Sequence, residues 1–589
     1  MTSIVPSSPT SWLRTRVNCW QSTAGDCFCL LVIGMLSMAS YEFRLGFYSD
    51  DWAMLASMSL SQSQSFVDVF RELYYVHDHE IRPMQFLEIA VLYKLFGLGS
   101  IGYHLLNAVI LIMDVVLLYL LARALAQPRV LALSISVVFM LVPNYSTDRF
   151  WIASAAANLS MGLSLLALHA HLQALRRTQS GFWRWETVAV LGALGSGFCY
   201  EVFLPLLIVA TIFLLALEVK NHYSRSNAVR IFGKAALHQV AIVCAVALIL
   251  VVKALWASRV PQNIELIGLG FYTGRQILKA GAINYGYHFL LLPSTTWHVL
   301  CHYAQPTIMV TSGIIGFAVW ARLYTLPNPF TAAAAKLRAA MSVYFAAGMV
   351  LFVAGYSLFP ITPVENGPNN RAAIAGTIGF AVSVVGGLGL LTSLARPIWR
   401  KAILSTGVAL ISAGGTLILG VVGDFWTESF RIEKEILSNI QDHVPVVPVG
   451  TSLILDGVCP YHGPAPVFNA TWDLSGALSL IYGHNGIEAN IVTPWMTVEE
   501  NGLAVPTGAG SVIYPFGDLF VYHVGHETSY ALPDGQAAQA YFSDISTDRM
   551  ARCPAHIDGN GVDVLNGIMQ TLREFFRSPN IAPTAEGDN

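Results

Sequence analysis

Eleven apolar stretches dominate this chain, and they leave few folds open to it. They lie near residues 25–46, 101–122, 130–147, 155–174, 187–200, 202–218, 237–256, 307–322, 340–359, 373–395 and 402–424. A bilayer core about 30 Å thick takes about 20 mostly apolar residues per helix. Backbone groups find no water in lipid, so a spanning segment must be a helix or a strand of a closed barrel. Barrel strands alternate apolar and polar residues, and these segments do not. The fifth and sixth are short and fit a helical hairpin. With 54% hydrophobic and only 12% charged residues, no soluble domain needs this mixture. The net charge of −3 offers no basic field to nucleic acid.

Basic residues set the expected orientation. Arg14 and Arg16, then Arg123 and Arg129, then Arg176, Arg177 and Arg184, then Lys220 through Lys234, mark alternate connections. Arg322, Lys336 and Arg338, followed by Arg396, Arg400 and Lys401, continue the rhythm. Lys and Arg near span ends favour the cytoplasmic side, so the N-terminus is expected inside and the part after the last span outside. The first apolar segment lacks a small-residue cleavage site and reads as a retained anchor. Three regions follow: a cytoplasmic lead (1–24), a transmembrane domain (25–424) and a periplasmic soluble domain (425–589). Long outer loops are expected at 47–100 and 258–306, and loops of that length are functional or carry helices of their own. In the last region, SFRIEKEILSNIQ (429–441) has helical spacing. VPVVPVGTSLILDG (444–457) reads as a strand entering a turn, and SVIYPFGDLFVYHVG (511–525) as two strands around a glycine turn. An α/β domain is therefore expected. The eight cysteines lack metal-ligand spacing. Cys459 and Cys553 either pair in an oxidising compartment or stay free.

Asp50 and Asp51, in YSDDWAML (48–55), stand just past the first span in a chain short of charge. One carboxylate can take a proton from an attacking hydroxyl within hydrogen-bond reach; the second can orient the acceptor, bind a cation or raise the first pKa. The plainer reading is helix capping, with Ser49 or Asp50 capping a helix that starts at Trp52. In YYVHDHEIRP (74–83), Arg82 suits a phosphate, because its planar guanidinium matches phosphate oxygens. His77 and His79 either support that site or sit in a wet loop; their i,i+2 spacing is weak as a metal pattern. Arg371 follows the turn-rich FPITPVENGPNN and either snorkels to headgroups or binds the phosphate of a lipid-linked substrate. Glu201, between two short apolar segments, is a site candidate or a brace for the hairpin. Asp148 and Arg149 read as a local ion pair and Trp151 as an interface anchor. Asp114 is different. It lies mid-span, where a transporter keeps an ion site, or it contacts Asn107, His169 or His171.

These residues carry a resemblance. The acidic pair in YSDDW, the run RPMQFLEIAVLYKLFGLGSIGYHLLNAVILIMDVVLLYLLARAL (82–125), the run LVPNYSTDRFWIASAAANLSMGLSLLAL (141–168) and the Glu201 hairpin ending in L-P resemble the GT-C superfamily of membrane glycosyltransferases. Within it they are most similar to the bacterial protein-mannosyltransferase-related group. The resemblance covers residues 40–220, and 340–400 through Arg371 alone. The chain departs from many relatives in having HDHEIRP where they carry His-Pro-Pro, which counts against protein O-mannosylation. It also departs in Asp114, where an apolar or amide residue is expected.

The resemblance implies a polytopic helical membrane protein of the cell envelope, N-terminus cytoplasmic, in a bacterial inner membrane. It implies an inverting transfer of a sugar from a polyprenyl-phosphate donor to a glycan or lipid acceptor at the outer face. Asp50 would be the base and Asp51 its orienting partner, Arg82 and Arg371 would bind donor phosphate, and Glu201 would support the site. A divalent cation could assist through the acidic pair, but no cofactor is required. The rival expectation is a secondary transporter or lipid flippase centred on Asp114, a class marked by repeats and broken helices.

Overall fold

The computed structural model describes residues 9–76, 82–177, 179–221, 225–257, 266–358, 370–493, 496–507 and 510–543. The chain is a polytopic α-helical membrane protein with a C-terminal sheet-containing region. Its first part holds α1 (Pro9–Met38), α2 (Asp50–Ser59), α3 (Phe66–Val76), α4 (Pro83–Phe96), α5 (Ser100–Ala124), α6 (Arg129–Leu141), α7 (Thr147–Phe150), α8 (Ala155–Arg176), α9 (Gln179–Cys199), α10 (Leu204–Asn221) and α11 (Arg225–Ala257). Then come α12 (Leu266–Gly281), a π-helical segment (Ala282–Leu290), α13 (Leu292–His302), α14 (Pro306–Thr325), α15 (Ala334–Tyr356), α16 (Ile374–Ser393) and α17 (Pro397–His443). Among the described residues, seven helices are long and apolar enough to cross a membrane, and three shorter apolar helices accompany them (Thr23–Met38, Arg129–Leu141, Glu201–Ala216). The stretches 47–100 and 258–306 carry α2 to α4 and α12 to α13.

Local chemistry sets the boundaries. α6 stops at Leu141 because Val142 precedes Pro143 and is pushed to an extended ψ of 144°. α4 and α17 each begin on a proline, whose missing N–H costs nothing at a helix start. α15 and α16 are joined by close backbone approach. A Cβ on Gly379 would lie 2.1 Å from the Phe352 nitrogen, and one on Gly348 would lie 2.3 Å from that of Ser383. Small residues bring membrane helices this near, and here they fix the helix that Arg371 opens. α17 runs 47 residues without a break, through the expected boundary at 424, and carries the chain into the C-terminal region.

That region is built on β1 (Ser452–Asp456), with β2 (Tyr461–His462), β3 (Ala465–Pro466), α18 (Asp473–Tyr482), β4 (Glu488–Ile491), β5 (Thr497–Val498), β6 (Gly502–Thr507), β7 (Gly510–Pro515), β8 (Leu519–His523), β9 (Thr528–Ala531) and α19 (Gly535–Ser543). A four-stranded sheet has the order β4-β1-β8-β9. Its first three strands are parallel, and β9 pairs antiparallel with β8. Every residue of β1 is buried, as expected where a parallel strand is covered on both faces. The two strands read around Gly517 both form, but they do not pair with each other. β7 pairs with β6 in a separate sheet, while β8 joins β1. α18 presses on α2, and a Cβ on Gly476 would come within 2.7 Å of the Trp52 and Ala53 backbone. Cys459 is disulfide-bonded; Cys553 lies outside the described residues.

Candidate active site

The acidic pair divides at the first turn of α2. Ser49 holds φ 48° and ψ −116°, a region that costs a non-glycine residue roughly 1–3 kcal/mol. This turn lets Asp51 fold back on the chain. Its Oδ2 accepts the Tyr48 N–H at 3.0 Å and its Oδ1 accepts the Ala153 N–H at 2.9 Å. Asp51 is buried, and burial pushes its pKa well up, against the pull of those amides and with a further push from Asp50. Its oxygens are committed to positioning two backbone segments. The helix starts at Asp50 rather than Trp52, and Ser49 makes no side-chain cap bond. Ser49 therefore does not cap the helix through its side chain, although both acids lie in the first turn; the Asp51 carboxylate reaches back to Tyr48 and across to Ala153.

Asp50 points the other way. Its Oδ1 accepts the Trp472 Nε1–H at 2.7 Å, and its Oδ2 lies 4.0 Å from a guanidinium nitrogen of Arg371. The two charged side chains keep 18% and 32% of their surface exposed, so both are reachable. Trp472 comes from the C-terminal region, immediately before α18.

Arg371 sits in a short 3-10 turn, Asn370–Ala373. Asn370 anchors that turn: its Oδ1 accepts the Thr147 N–H at 3.1 Å, and its Nδ2 donates to Ser146 Oγ at 3.1 Å. The Arg371 guanidinium lies 4.9 Å from the centre of the Trp151 ring, and Trp151 donates its indole N–H to the Tyr48 carbonyl at 3.0 Å. Trp151 is thus a buried wall of the site, not an interface anchor. Asp148 is fully buried, and neither of its oxygens has a hydrogen-bond partner among the described residues. Burial pushes its pKa well up, while Arg371 and then Arg149 pull it down. No ion pair joins Asp148 to Arg149 among the described residues. Arg149 turns instead to the Met140 carbonyl and the Tyr145 ring, which corrects the expected local pair.

A second charged group lies beside the first. Glu201 accepts from Arg82 at 3.1 Å and from Lys253 at 2.7 Å. Two cations thus face one carboxylate. The Arg82 guanidinium also lies 4.6 Å from the centre of the Tyr200 ring. Tyr200 is buried and stands immediately before Glu201. So Asp50 and Arg371 form one cluster, with Asp51 bracing the turn beneath it, and Arg82, Glu201 and Lys253 form another.

His77 and His79 lie outside the described residues. Asp114 is buried against Gly162, its Oδ1 only 2.6 Å from where a Cβ would stand there. Of its expected partners, Asn107 holds Asp148 and Asn158, and His169 holds the Leu165 carbonyl. His171 belongs to a different cluster, with Glu186 and His238. That trio is a group of three such side chains among the described residues whose ligand atoms lie close enough to share a cation.

Sequence reasoning missed Trp472, Tyr200, Lys253 and Asn370. Lys253 had a signal, a lysine inside an apolar run. Trp472 had none, being 422 positions from its partner.

No protein-family model and no curated protein matches this chain. Among solved structures it is similar to the oligosaccharyltransferase of Archaeoglobus fulgidus tethered with an acceptor peptide containing the NVT sequon. That match has TM-score 0.34 and 12% identity, over 80% of this chain and 64% of that one. It is also similar to the same organism's oligosaccharyltransferase AglB in complex with an inhibitory peptide and a dolichol-phosphate, with TM-score 0.37 and 12% identity over 82% and 66%. A third is ArnT from Cupriavidus metallidurans bound to undecaprenyl phosphate, with TM-score 0.32 and 14% identity over 82% and 90%. The chain spans just under two thirds of the length of the archaeal enzyme. These likenesses are distant and assign no residue here.

Proposed function

We propose that this chain is an inverting GT-C-type glycosyltransferase. It moves a sugar from a polyprenyl-phosphate donor to a hydroxyl of a glycan or lipid acceptor at the outer face of a bacterial inner membrane. One observation carries the reading: an accessible carboxylate, Asp50, stands 4.0 Å from a guanidinium, Arg371, that comes from 321 positions away. Such a pair supplies a proton acceptor and an anion-binding group side by side.

Asp50 takes the proton of the acceptor hydroxyl. The acceptor oxygen bonds to the anomeric carbon as that carbon's bond to the phosphate oxygen breaks, and polyprenyl phosphate leaves with the electron pair. Arg371 offsets the charge on the leaving phosphate, and preorganised groups of this kind contribute strongly to lowering a barrier. Arg82 is held in place by Glu201, which Lys253 also contacts, and its guanidinium is a second group suited to the donor phosphate. Asp51 is a positioning residue. The basic connections at Arg123, Arg176 and Arg177 lie away from this site, which fits an extracytoplasmic Asp50, as does the disulfide at Cys459.

The test is transfer by the purified protein from a panel of lipid-phosphate sugars, with Arg371→Ala alongside. The variant should weaken donor binding by about tenfold or more while acceptor binding holds. Equal loss on both substrates would make Arg371 merely structural. A second reading, a transporter or flippase, rests on buried Asp114, whose Oδ2 has no hydrogen-bond partner among the described residues; if it holds, Asp114→Asn abolishes activity and Asp50→Asn does not.

A further inference from the structure

Three helices bring His171 (α8), Glu186 (α9) and His238 (α11) into one buried cluster, with one ligand atom from each lying within 4.8 Å of the others. His171 and His238 are wholly buried and Glu186 nearly so. The two imidazoles stack with ring centres 3.2 Å apart and planes 17° from parallel. His238 Nδ1 meets Glu186 Oε1 at 2.6 Å. That contact satisfies only part of the group. Both ring nitrogens of His171, Nε2 of His238 and Oε2 of Glu186 are buried with no hydrogen-bond partner among the described residues. An ion pair between His238 and Glu186 alone leaves the His171 ring stranded, and buried polar atoms left so are costly.

We propose that these three side chains bind a divalent transition-metal ion of the zinc class, clamping α8, α9 and α11 together. The donors fit. Two imidazoles and a carboxylate suit zinc-like ions, whereas magnesium and calcium prefer all-oxygen sites. A tetrahedral site with metal–nitrogen bonds of about 2.0–2.1 Å has edges of roughly 3.4 Å, and closing on an ion would tilt the two imidazoles out of their present stack so that their nitrogens converge. The clamp is separate from the transfer site: His171 is 16 residues along α8 from Ala155, about 24 Å at 1.5 Å per residue. Three protein ligands leave a fourth position for water.

The full-length protein in detergent, stripped with chelator and then titrated with Zn2+, tests the clamp. Metal analysis after desalting should find about one Zn2+ per wild-type chain, with the thermal midpoint raised by the ion. His171→Ala and His238→Ala should retain under about a tenth of that and show no midpoint shift, and Glu186→Gln should bind on the order of tenfold or more weakly. A wild type that keeps no Zn2+, or alanine variants that keep as much, overturns the proposal. Should the alanine variants not fold, Co2+ on wild type decides. Visible bands of a four-coordinate nitrogen and oxygen site support the clamp, and a six-coordinate aqueous-type spectrum overturns it.

Discussion

Asp50→Asn separates proton transfer from architecture. The amide is nearly isosteric with the carboxylate, and its oxygen can still accept the Trp472 indole N–H now bonded at 2.7 Å. What is lost is basicity and charge. General-base removal costs on the order of 10²–10⁴ in rate, equivalent to about 2.7–5.4 kcal/mol at about 1.36 kcal/mol per tenfold. The charge term works the other way on the donor. A carboxylate 4.0 Å from Arg371 competes for it with about 1 kcal/mol in bulk water and about 4 kcal/mol in a partly screened site. With both groups partly exposed, the lower figure applies, so freeing Arg371 tightens donor binding by up to roughly fivefold. The expected signature is therefore split: kcat falls at least a hundredfold while the donor KM stays level or drops. Single-turnover transfer from a radiolabelled polyprenyl-phosphate sugar, with donor binding measured separately, resolves the two. Turnover within threefold of wild type, or donor binding lost in parallel with turnover, refutes the assignment of Asp50 as base.

Other outcomes follow from the same geometry. Trp472→Phe leaves a smaller aromatic ring at a half-exposed position and deletes the N–H that orients Asp50; turnover should drop roughly threefold to tenfold, the equivalent of a single hydrogen bond of about 1 kcal/mol, with the thermal midpoint nearly unmoved. A large fall in stability with unchanged turnover would make that tryptophan a packing residue only. Asp473, buried at the head of α18, has its pKa pushed up to about 7 by burial, against three backbone amides and with a push from Asp50. The folded state then holds a proton that the unfolded chain releases near pH 4, so stability is fullest below that and declines as pH rises through about 7. Melting in detergent at pH 5 and pH 8 should show a higher midpoint at pH 5, and Asp473→Asn should shrink the difference; a higher midpoint at pH 8, or a difference that Asp473→Asn leaves unchanged, would contradict this.

The sequence reveals the membrane class because hydropathy is local: α5, α8 and α16 each announce themselves in a single window. It reveals Asp50, Asp51, Arg82, Glu201 and Arg371 as suspects for a similar reason, since charge is conspicuous where charge is scarce. It does not say how they divide. Asp51 looks equivalent to Asp50 until the Ala153 amide, 102 positions on, occupies one oxygen. Asp148 and Arg149 look like a pair because they are adjacent, but adjacent residues in a helical turn face different ways, and each finds other company. Strand partners are equally opaque: β8 follows β7 closely, yet its neighbours are set by long-range parallel pairing with β1. Trp472 could come to Asp50 only through the docking of α18 on α2.

A structure of the chain with a polyprenyl phosphate bound tests the central claim most directly. The account predicts the phosphate within hydrogen-bond reach of Arg371, with the Asp50 carboxylate facing the space where the sugar is released. A phosphate seated elsewhere in the bundle, beside Asp114 for instance, with Asp50 and Arg371 untouched, would contradict it.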